Sequence, residues 1–221
     1  MIVSVLLATT GRPDMAERCV RSIQETTEGH DIEIVAAVDK DGVTAVRLHE
    51  LGCVVDWSPE YRGCSKAWNA ALRLAQGDPL VLAADDLVFC PGWLDASFER
   101  LLTFDDGWGL VGFNDGHWNG DLSTHYLMSR RLVVEVFGGV VAWDCYGHSF
   151  NDVEANERAK RAGRYAWCEQ AHVRHEHWLF GDRQQDDTDG RNLPEWSGSQ
   201  EVYRSREAAG FPNDFEAVIE C

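Results

Sequence analysis

Hydrophobic and polar positions in the first half of the chain alternate between short apolar runs and longer segments with helical spacing. The short apolar runs are typical of buried strands, and they cover residues 2–8, 32–38, 53–57 and 79–84. Helical spacing of apolar residues predicts helices that begin at Pro13 and that cover residues 43–51, 65–76 and 91–102. Strands that alternate with helices predict an α/β fold, in which a mostly parallel central sheet is flanked by helices on both faces.

The second half of the chain is less regular. Its pattern predicts strands at residues 109–113, 126–128 and 167–173, and helices at residues 131–137, 152–162 and 200–209. Residues 181–199 are rich in Asp, Gly, Gln and Asn, and we predict a mobile loop or lid there.

Composition narrows the classes of partner. The chain has 20 Lys and Arg against 37 Asp and Glu, a net charge of −17, which argues against broad charge-driven binding to nucleic acid or to an anionic membrane surface. The apolar runs are too short to span a bilayer, and the N-terminus lacks a signal-like segment. None of the seven cysteines forms a C-x-x-C pair, so we expect reduced thiols in a cytoplasmic protein and no zinc cage.

The strongest chemical signal is the pair Asp85 and Asp86, which ends the fourth predicted strand. Adjacent carboxylates at the carboxyl end of a buried strand repel each other unless a cation lies between them. A hard divalent cation binds one or two carboxylates and often a substrate phosphate as well. The pair therefore predicts a metal-bridged phosphate ester, and a solvated Asp-Asp turn is the alternative.

Three other polar segments follow predicted strands or introduce a helix in the same half. They are Thr9 to Pro13, Asp39, and Gly63 to Asn69. Because the carboxyl ends of parallel strands meet at one edge of the sheet, we expect these segments to lie near Asp85 and Asp86.

Together these segments resemble the nucleotide-sugar-binding half of family 2-like glycosyltransferases with the GT-A fold. In that family an apolar strand is followed by Thr, a variable residue and Arg-Pro, then by an Asp that holds the nucleotide base, and later by a metal motif Asp-x-Asp. The resemblance implies that Asp86 binds the metal at the last position of that motif, while Asp85 takes its middle position and the first Asp is missing. It implies donor-binding roles for Thr9, Thr10, Arg12, Asp39, Gly63, Lys66, Asn69 and Asp85.

The second half resembles the family more loosely. Asn151 to Gly163 is similar to the motif in which an acidic residue opens a helix and acts as the catalytic base, so Asp152 is the implied base and Glu154 the alternative. The strand end around His175 and His177 is similar to the segment that supplies a late metal ligand or a pyrophosphate contact, and His175 fits better.

The resemblance implies a hexosyltransferase that uses Mn²⁺ or Mg²⁺ to move a sugar from a nucleoside-diphosphate sugar to an acceptor hydroxyl, with inversion. Residues 1–114 would bind the donor, and residues 115–221 would supply the acceptor side and a C-terminal lid within the same domain. The Gln-x-x-Arg-Trp motif and the membrane helices of processive synthases are absent from the sequence, which implies single transfer by a soluble enzyme.

The acceptor stays open. The chain is similar to small enzymes of bacterial viruses, which would place it in the host cytoplasm, and some of these glycosylate hydroxymethylated pyrimidines in DNA. A phosphate backbone would have to meet the basic residues Arg130, Arg131, Lys160, Arg161 and Arg164. A glycan or a small molecule is an equally good acceptor, and Trp118, Trp143 and Trp178 are candidates for a platform on which a sugar or base stacks.

Other functions and structural roles compete. A nucleotidyltransferase can use a similar sheet, and a metal-dependent hydrolase could be built from His172, His175 and His177, although they lack the H-E-x-x-H spacing. A non-catalytic sugar-binding module is a further alternative.

Single residues also have structural alternatives. Asp39 could cap a turn, Lys66 could be solvated, Asn69 could be a packing amide, and Asp152 could be a helix N-cap.

Overall fold

The central sheet has the strand order β3-β2-β1-β4-β7-β6-β8-β5. The computed structural model describes residues 1–192 and 196–213. The strands are β1 (Ile2–Thr9), β2 (Asp31–Asp39), β3 (Val54–Ser58), β4 (Leu80–Ala84), β5 (Leu87–Phe89), β6 (Leu110–Asn114), β7 (Tyr126–Met128) and β8 (Tyr165–His175). The helices are α1 (Pro13–Thr26), α2 (Gly42–Glu50), α3 (Cys64–Leu74), α4 (Trp93–Leu101), α5 (Arg130–Glu135), α6 (Asn151–Arg161), α7 (Asp187–Asn192) and α8 (Trp196–Ala208), with a short 3₁₀ helix at Trp178–Phe180.

The first half of the sheet is parallel, as predicted. β1 pairs in parallel with β2 and β4, and β2 pairs in parallel with β3. Side chains alternate between the two faces of β1: Val3, Val5 and Leu7 pack in one core and Leu6 packs in the other. The α/β prediction is therefore confirmed, with a helix-covered core on each face. The parallel pairing also brings the carboxyl ends of β1, β2 and β4 to one edge.

The second half adds antiparallel pairing. β7 pairs antiparallel with both β4 and β6, and the short β5 pairs antiparallel with β8. β8 is longer than the predicted strand, because its ends continue beside β6 and β5. Leu87 pairs with His175 at the end of this ladder, and β8 thereby brings His175 next to Asp86.

Two helices lie in the stretch 181–199, for which the composition predicts a mobile loop; residues 193–195 lie outside the part that the structure describes. Within this stretch α7 forms at Asp187–Asn192 and α8 begins at Trp196, earlier than the predicted start at Gln200. The composition of this stretch predicts a loop because it has no apolar stripe, and composition does not show which charged residues pair. Ion pairs from α7 and the residues before it to Arg12 hold the segment against the sheet edge instead.

Six of the seven cysteines lie in the part of the chain that the structure describes. Cys19, Cys53 and Cys168 are buried, and the cysteines at 64, 90 and 145 are partly buried. Among residues 1–192 and 196–213, no helix has both the length and the apolar character needed to cross a membrane.

Candidate active site

A cavity of about 510 Å³ lies at the edge where β1, β2 and β4 end. Ten of the predicted site residues line it: Thr9, Thr10, Arg12, Asp39, Gly63, Asp85, Asp86, Asp152, His175 and His177. The strand ends supply one side of the cavity, and α6, the end of β8 and α7 supply the other. Lys66, Asn69 and Glu154 do not line it.

Asp85 is bound by other residues of the protein. One oxygen accepts a hydrogen bond of 2.7 Å from Thr9 Oγ1, and the other lies 3.1 Å from Arg12 Nη1. Burial raises the pKa of the Asp85 carboxyl to about 6, although the positive charge of Arg12 acts in the opposite direction. Asp85 therefore holds the loop after β1 in place.

Asp86 keeps one oxygen without a partner. Its Oδ2 lies 3.5 Å from His175 Nε2, whereas its Oδ1 is buried and accepts no hydrogen bond. Burial alone would raise the pKa of Asp86, but the charge of His175 lowers it overall, so the carboxylate is ionised. A buried carboxylate oxygen without a donor fits a hard cation.

No described group of three or more His, Cys, Asp or Glu side chains is already arranged to hold a metal ion. A cation at Asp86 would therefore complete its coordination with oxygens of its ligand. This behaviour is typical of Mg²⁺, which commonly binds one or two carboxylates together with substrate phosphates.

Histidines surround Asp86 more closely than the sequence indicated. The rings of His175 and His177 lie 5.1 Å apart, although His177 follows the end of β8. His125, at the end of the loop before β7, is buried with its ring 4.9 Å from that of His175. No motif marks His125, because only the β6–β7 pairing carries it to this edge. His172 is exposed on the opposite face of β8, so the three histidines of the hydrolase alternative do not meet.

Asp39 holds the segment that precedes α3. Its Oδ2 accepts hydrogen bonds from the backbone N–H groups of Arg62, at 2.6 Å, and Gly63, at 3.2 Å. Its Oδ1 accepts a 2.7 Å bond from Arg62 Nε. The backbone oxygen of Asp39 accepts a bond from Thr10 Oγ1. Asp39 thus shapes the cavity wall; its Oδ2 already accepts two hydrogen bonds, whereas its Oδ1 accepts one and keeps a second lone pair.

Lys66 and Asn69 lie elsewhere on α3. Lys66 is exposed, in agreement with the solvated alternative. The Asn69 side chain accepts a hydrogen bond from Val141 N–H and donates one of 2.7 Å to the carbonyl of Ala142. Asn69 is therefore the packing amide of the alternative interpretation, and it fixes the loop between α5 and α6.

Arg12 joins the loop after β1 to the residues around α7. It donates to both oxygens of Asp186 at 2.8 Å and to Asp189 at 2.5 Å, in addition to Asp85. Arg183 donates to both oxygens of Asp189 and lies 4.0 Å from Asp86. No sequence pattern pairs Arg12 with Asp186 or Asp189, since these carboxylates follow it by more than 170 residues.

Asp152 stands at the second position of α6 and is half-buried in the cavity wall. Phe150, which has a φ of 77°, occupies the N-cap position, so the N-cap alternative for Asp152 does not hold. Asn151 fixes the start of the helix by accepting from Trp143 N–H and donating to Ser65 Oγ. Burial raises the pKa of the Asp152 carboxyl to about 6, against the effect of nearby backbone N–H groups.

Glu154 points away from the cavity into the core. Its side chain is completely buried and accepts hydrogen bonds from Tyr146 Oη at 2.6 Å, Arg158 Nε at 2.8 Å and Arg206 Nε at 2.8 Å. This network ties α6 to α8. Glu154 therefore has a structural position, and Asp152 is the candidate base of the pair.

Sequence comparison matches residues 4–128 to the model of the family described as glycosyl transferase family 2. The match covers more than half of the 221 residues. It includes the loop after β1, Asp39 and the Asp85–Asp86 pair, but not α6 or the end of β8. No curated protein matches the chain in sequence.

Solved structures share the fold at low sequence identity. The mannosyltransferase PcManGT from Pyrobaculum calidifontis, in complex with GDP-Man and Mn²⁺, has a TM-score of 0.63 at 17% identity, with 76% of this chain and 55% of that chain covered. TarS from S. aureus has a TM-score of 0.62 at 12% identity, with 76% and 35% covered. The chain thus spans about half of the first protein and about a third of the second.

A third structure covers more of both chains. Glucosyl-3-phosphoglycerate synthase from Mycobacterium tuberculosis, in complex with Mn²⁺, UDP and phosphoglyceric acid, has a TM-score of 0.65 at 18% identity, with 95% of this chain and 79% of that chain covered.

Proposed function

The chain belongs to glycosyl transferase family 2, and on that premise we propose that it transfers a hexose from a nucleoside-diphosphate sugar to an acceptor hydroxyl. One observation carries this proposal: an ionised carboxylate with an unpartnered oxygen, Asp86, and a carboxyl with a raised pKa, Asp152, line the same cavity. Carboxylates in different environments can serve different roles, one at a cation and the other at a proton.

Asp86 is the proposed metal ligand, and His175 or His177 is the proposed second protein ligand. Mn²⁺ or Mg²⁺ fits the unpartnered oxygen of Asp86, and each ion is present in similar structures that also hold UDP. The cation would supply Lewis-acid stabilisation of the leaving diphosphate. Thr9 and Asp85 would orient the loop around it, while Arg12 would offer a second positive charge to the diphosphate.

Asp39 is the proposed contact to the nucleotide base. Asp39 lines the cavity, and Gly63, just before α3, donates its backbone N–H to the carboxylate. A base N–H can bond the remaining lone pair of Oδ1. Thr10 supports this position through its bond to the Asp39 backbone.

Asp152 is the proposed general base. Its raised pKa lies close to neutral pH, where a carboxylate base accepts a proton most effectively. An acceptor oxygen activated by Asp152 would attack the sugar carbon on the side opposite the diphosphate, with inversion. NMR of the product anomer against the donor anomer tests this part of the proposal.

A DNA acceptor has no support among the described residues. The basic side chains that would meet a phosphate backbone are already paired with acidic neighbours: Arg131 with Glu135, Arg161 with Glu207, Arg164 with Asp106 and Lys160 with Glu157. Arg130 donates to the carbonyls of Ala75 and Gly77. With these pairs and a net charge of −17, we propose an acceptor other than DNA.

The proposal is tested with a panel of UDP- and GDP-sugars, with and without Mn²⁺. We expect one donor to be hydrolysed slowly and transferred rapidly when an acceptor is present, in both cases only with the metal. Calorimetry with the matching nucleoside diphosphate should show binding that is lost with EDTA. Turnover that does not need the metal would contradict the proposal. Hydrolysis of the donor with no transfer to any acceptor would favour the hydrolase, and a nucleotide joined to the second substrate would favour nucleotidyl transfer.

A further inference from the structure

Three large apolar side chains are exposed along one wall of the cavity. Trp118, Leu179 and Phe180 are 39%, 57% and 45% exposed, and together with Leu122 they line the cavity. We name these four residues the aromatic wall. Of the tryptophans suggested by the sequence, only Trp118 belongs to it, because Trp143 is fully buried in the core and Trp178 does not line the cavity.

The aromatic wall is held in place by contacts on its back. The ring of Phe180 stacks on His117 at 3.9 Å with an angle of 11°, and meets Trp118 edge to face at 5.9 Å. His117 Nε2 lies 3.0 Å from the carbonyl of His175 and 3.1 Å from Asp182 Oδ2. An exposed aromatic surface with a fixed backing is preorganised for a flat apolar ligand face.

The loop that carries Trp118 and Leu122 is attached to α6 close to Asp152. Ser123, next to Leu122, exchanges two hydrogen bonds with Asn156, of 3.0 and 2.9 Å. Asn156 also donates to the carbonyl of Asp152 at 2.8 Å. The aromatic wall and Asp152 therefore belong to one connected unit on the acceptor side of the cavity.

The charge around this unit is negative. Arg12 is the single Lys or Arg among the described lining residues, and it already contacts three carboxylates. The acidic lining residues are Asp39, Asp85, Asp86, Asp152 and Asp189. A phosphate or carboxylate placed on the aromatic wall would face Asp152, and among the described lining residues Arg12 is the one Lys or Arg that could pair with it. A like-charge contact of this kind costs binding free energy.

We propose that the acceptor is an uncharged sugar whose ring stacks on Trp118 and Phe180 and whose attacking hydroxyl faces Asp152. A sugar ring has a C–H face that fits an aromatic side chain and a rim of hydroxyls that fits carboxylate and hydroxyl groups. This mixture of apolar area with a few polar groups is what the wall offers. The proposal rests on the proposed function and adds the acceptor class to it. It also separates this chain from the similar synthase whose structure holds phosphoglyceric acid.

Matched acceptor pairs test the role of charge. Methyl glucoside, methyl mannoside and methyl galactoside are compared with their 6-phosphates, using the active donor, and product is measured by mass spectrometry. We expect kcat/KM for the best uncharged glycoside to exceed that of its phosphate by about tenfold or more. Equal or better use of a phosphorylated sugar, of phosphoglycerate or of DNA with a hydroxymethylated pyrimidine would overturn the proposal.

Variants test the wall itself. Trp118→Ala and Phe180→Ala should each raise the acceptor KM by about three- to tenfold, a larger effect than on the donor KM. Trp57→Ala is the matched control, since Trp57 is 53% exposed on β3 and does not line the cavity. An unchanged acceptor KM in both wall variants would overturn the proposal.

Donor hydrolysis keeps the two levels of inference apart. If the enzyme hydrolyses the donor with metal but transfers to no uncharged sugar, the acceptor proposal is wrong and the proposed function stands. If neither hydrolysis nor metal-dependent nucleotide binding occurs, both are wrong.

Discussion

Arg12 and Asp186 form a two-bond ion pair, in which Nε and Nη2 donate to the two carboxylate oxygens at 2.8 Å each. The pair connects the loop after β1 to a residue 174 positions later in the chain. Asp85 and Asp189 contact the same guanidinium, so the group proposed to face the diphosphate is already surrounded by carboxylates. A donor that binds Arg12 therefore competes with these carboxylates for the guanidinium.

Removing the two α7-side carboxylates should therefore strengthen donor binding. The double variant Asp186→Asn, Asp189→Asn removes the carboxylates that compete with the donor for Arg12 and Arg183. We expect the donor KM to fall by about three- to tenfold, the size of effect expected for a hydrogen bond to a charged group. Asp187→Asn is the matched control, because Asp187 is exposed in the same helix. A higher donor KM in the double variant would show that these carboxylates instead position the arginines for the donor.

Asp86 should be required for metal-dependent nucleotide binding. Asp86→Asn keeps the shape of the side chain but removes the charge that holds a cation, and we expect calorimetry to show no difference between Mn²⁺ and EDTA. Asp85→Asn should be less damaging, since Asp85 bonds Thr9 and Arg12. Nucleotide affinity that still responds to Mn²⁺ in Asp86→Asn would refute the assignment.

Asp152→Asn should retain donor and metal binding and lose transfer. General-base catalysis contributes about 10²- to 10⁴-fold, and we expect kcat to drop by a factor in that range. Asparagine at the second position of α6 should keep the fold, because the N-cap is Phe150. Circular dichroism and nucleotide calorimetry provide the check on folding and donor binding.

The same residue predicts a pH dependence. The base must be ionised, and the pKa of Asp152 is raised to about 6, so kcat should increase as the pH rises from 5 to 7 and then level off. Asp152→Asn should lose this acidic limb. For stability the sign is opposite: a carboxyl with a raised folded-state pKa favours the folded state below its unfolded pKa, and this contribution is lost as the pH rises through 6.

Glu154 should matter for stability and not for chemistry. Breaking a buried ion pair typically costs about 3–5 kcal/mol, and Glu154→Gln leaves Arg206 and Arg158 without their anionic partner. We expect a large decrease in Tm by calorimetry. Glu135→Gln is the matched control, because Glu135 forms the same i,i+4 pair with Arg131 on the surface, where such a pair contributes about 0.3–0.5 kcal/mol. Equal Tm values for the two variants would contradict the structural role.

Asp39→Ala should raise the donor KM by about tenfold or more, since losing a hydrogen bond to a charged group costs about 1.5–3 kcal/mol. Asp39 also holds Arg62, so Arg62→Ala serves as the control for the loop before α3. A similar donor KM in both variants would assign Asp39 to the loop and not to the base. Comparing nucleoside diphosphates with different bases shows whether the loss depends on base identity.

Local signals in the sequence determined the first half of the protein. Apolar runs of strand length followed by helical stripes specify a parallel sheet, and parallel pairing brings every carboxyl end to one edge, so the places of Asp39 and Asp86 at the cavity followed from chain order. The family match covers this same half.

Tertiary structure decided which neighbouring polar residues reach the cavity. Asp152 and Glu154 are two positions apart on α6, so they face different directions. Only the pairing of Glu154 with Arg206 of α8 shows that Glu154 faces the core and Asp152 the cavity. Asn69 lies in a sequence motif that predicts a contact to the sugar donor, but its side chain bonds the loop after α5. These outcomes depend on contacts between residues distant in sequence, which no local periodicity encodes.

The same reason explains the C-terminal segment and the histidines. An Asp-rich composition predicts solvation, but Asp186 and Asp189 become ordered because Arg12 offers them a nearly buried cation. His125 reaches His175 only through the strand order β7-β6-β8. Sequence patterns fix the elements and their edges, whereas charge pairing and strand order across the whole chain select the side chains that meet there.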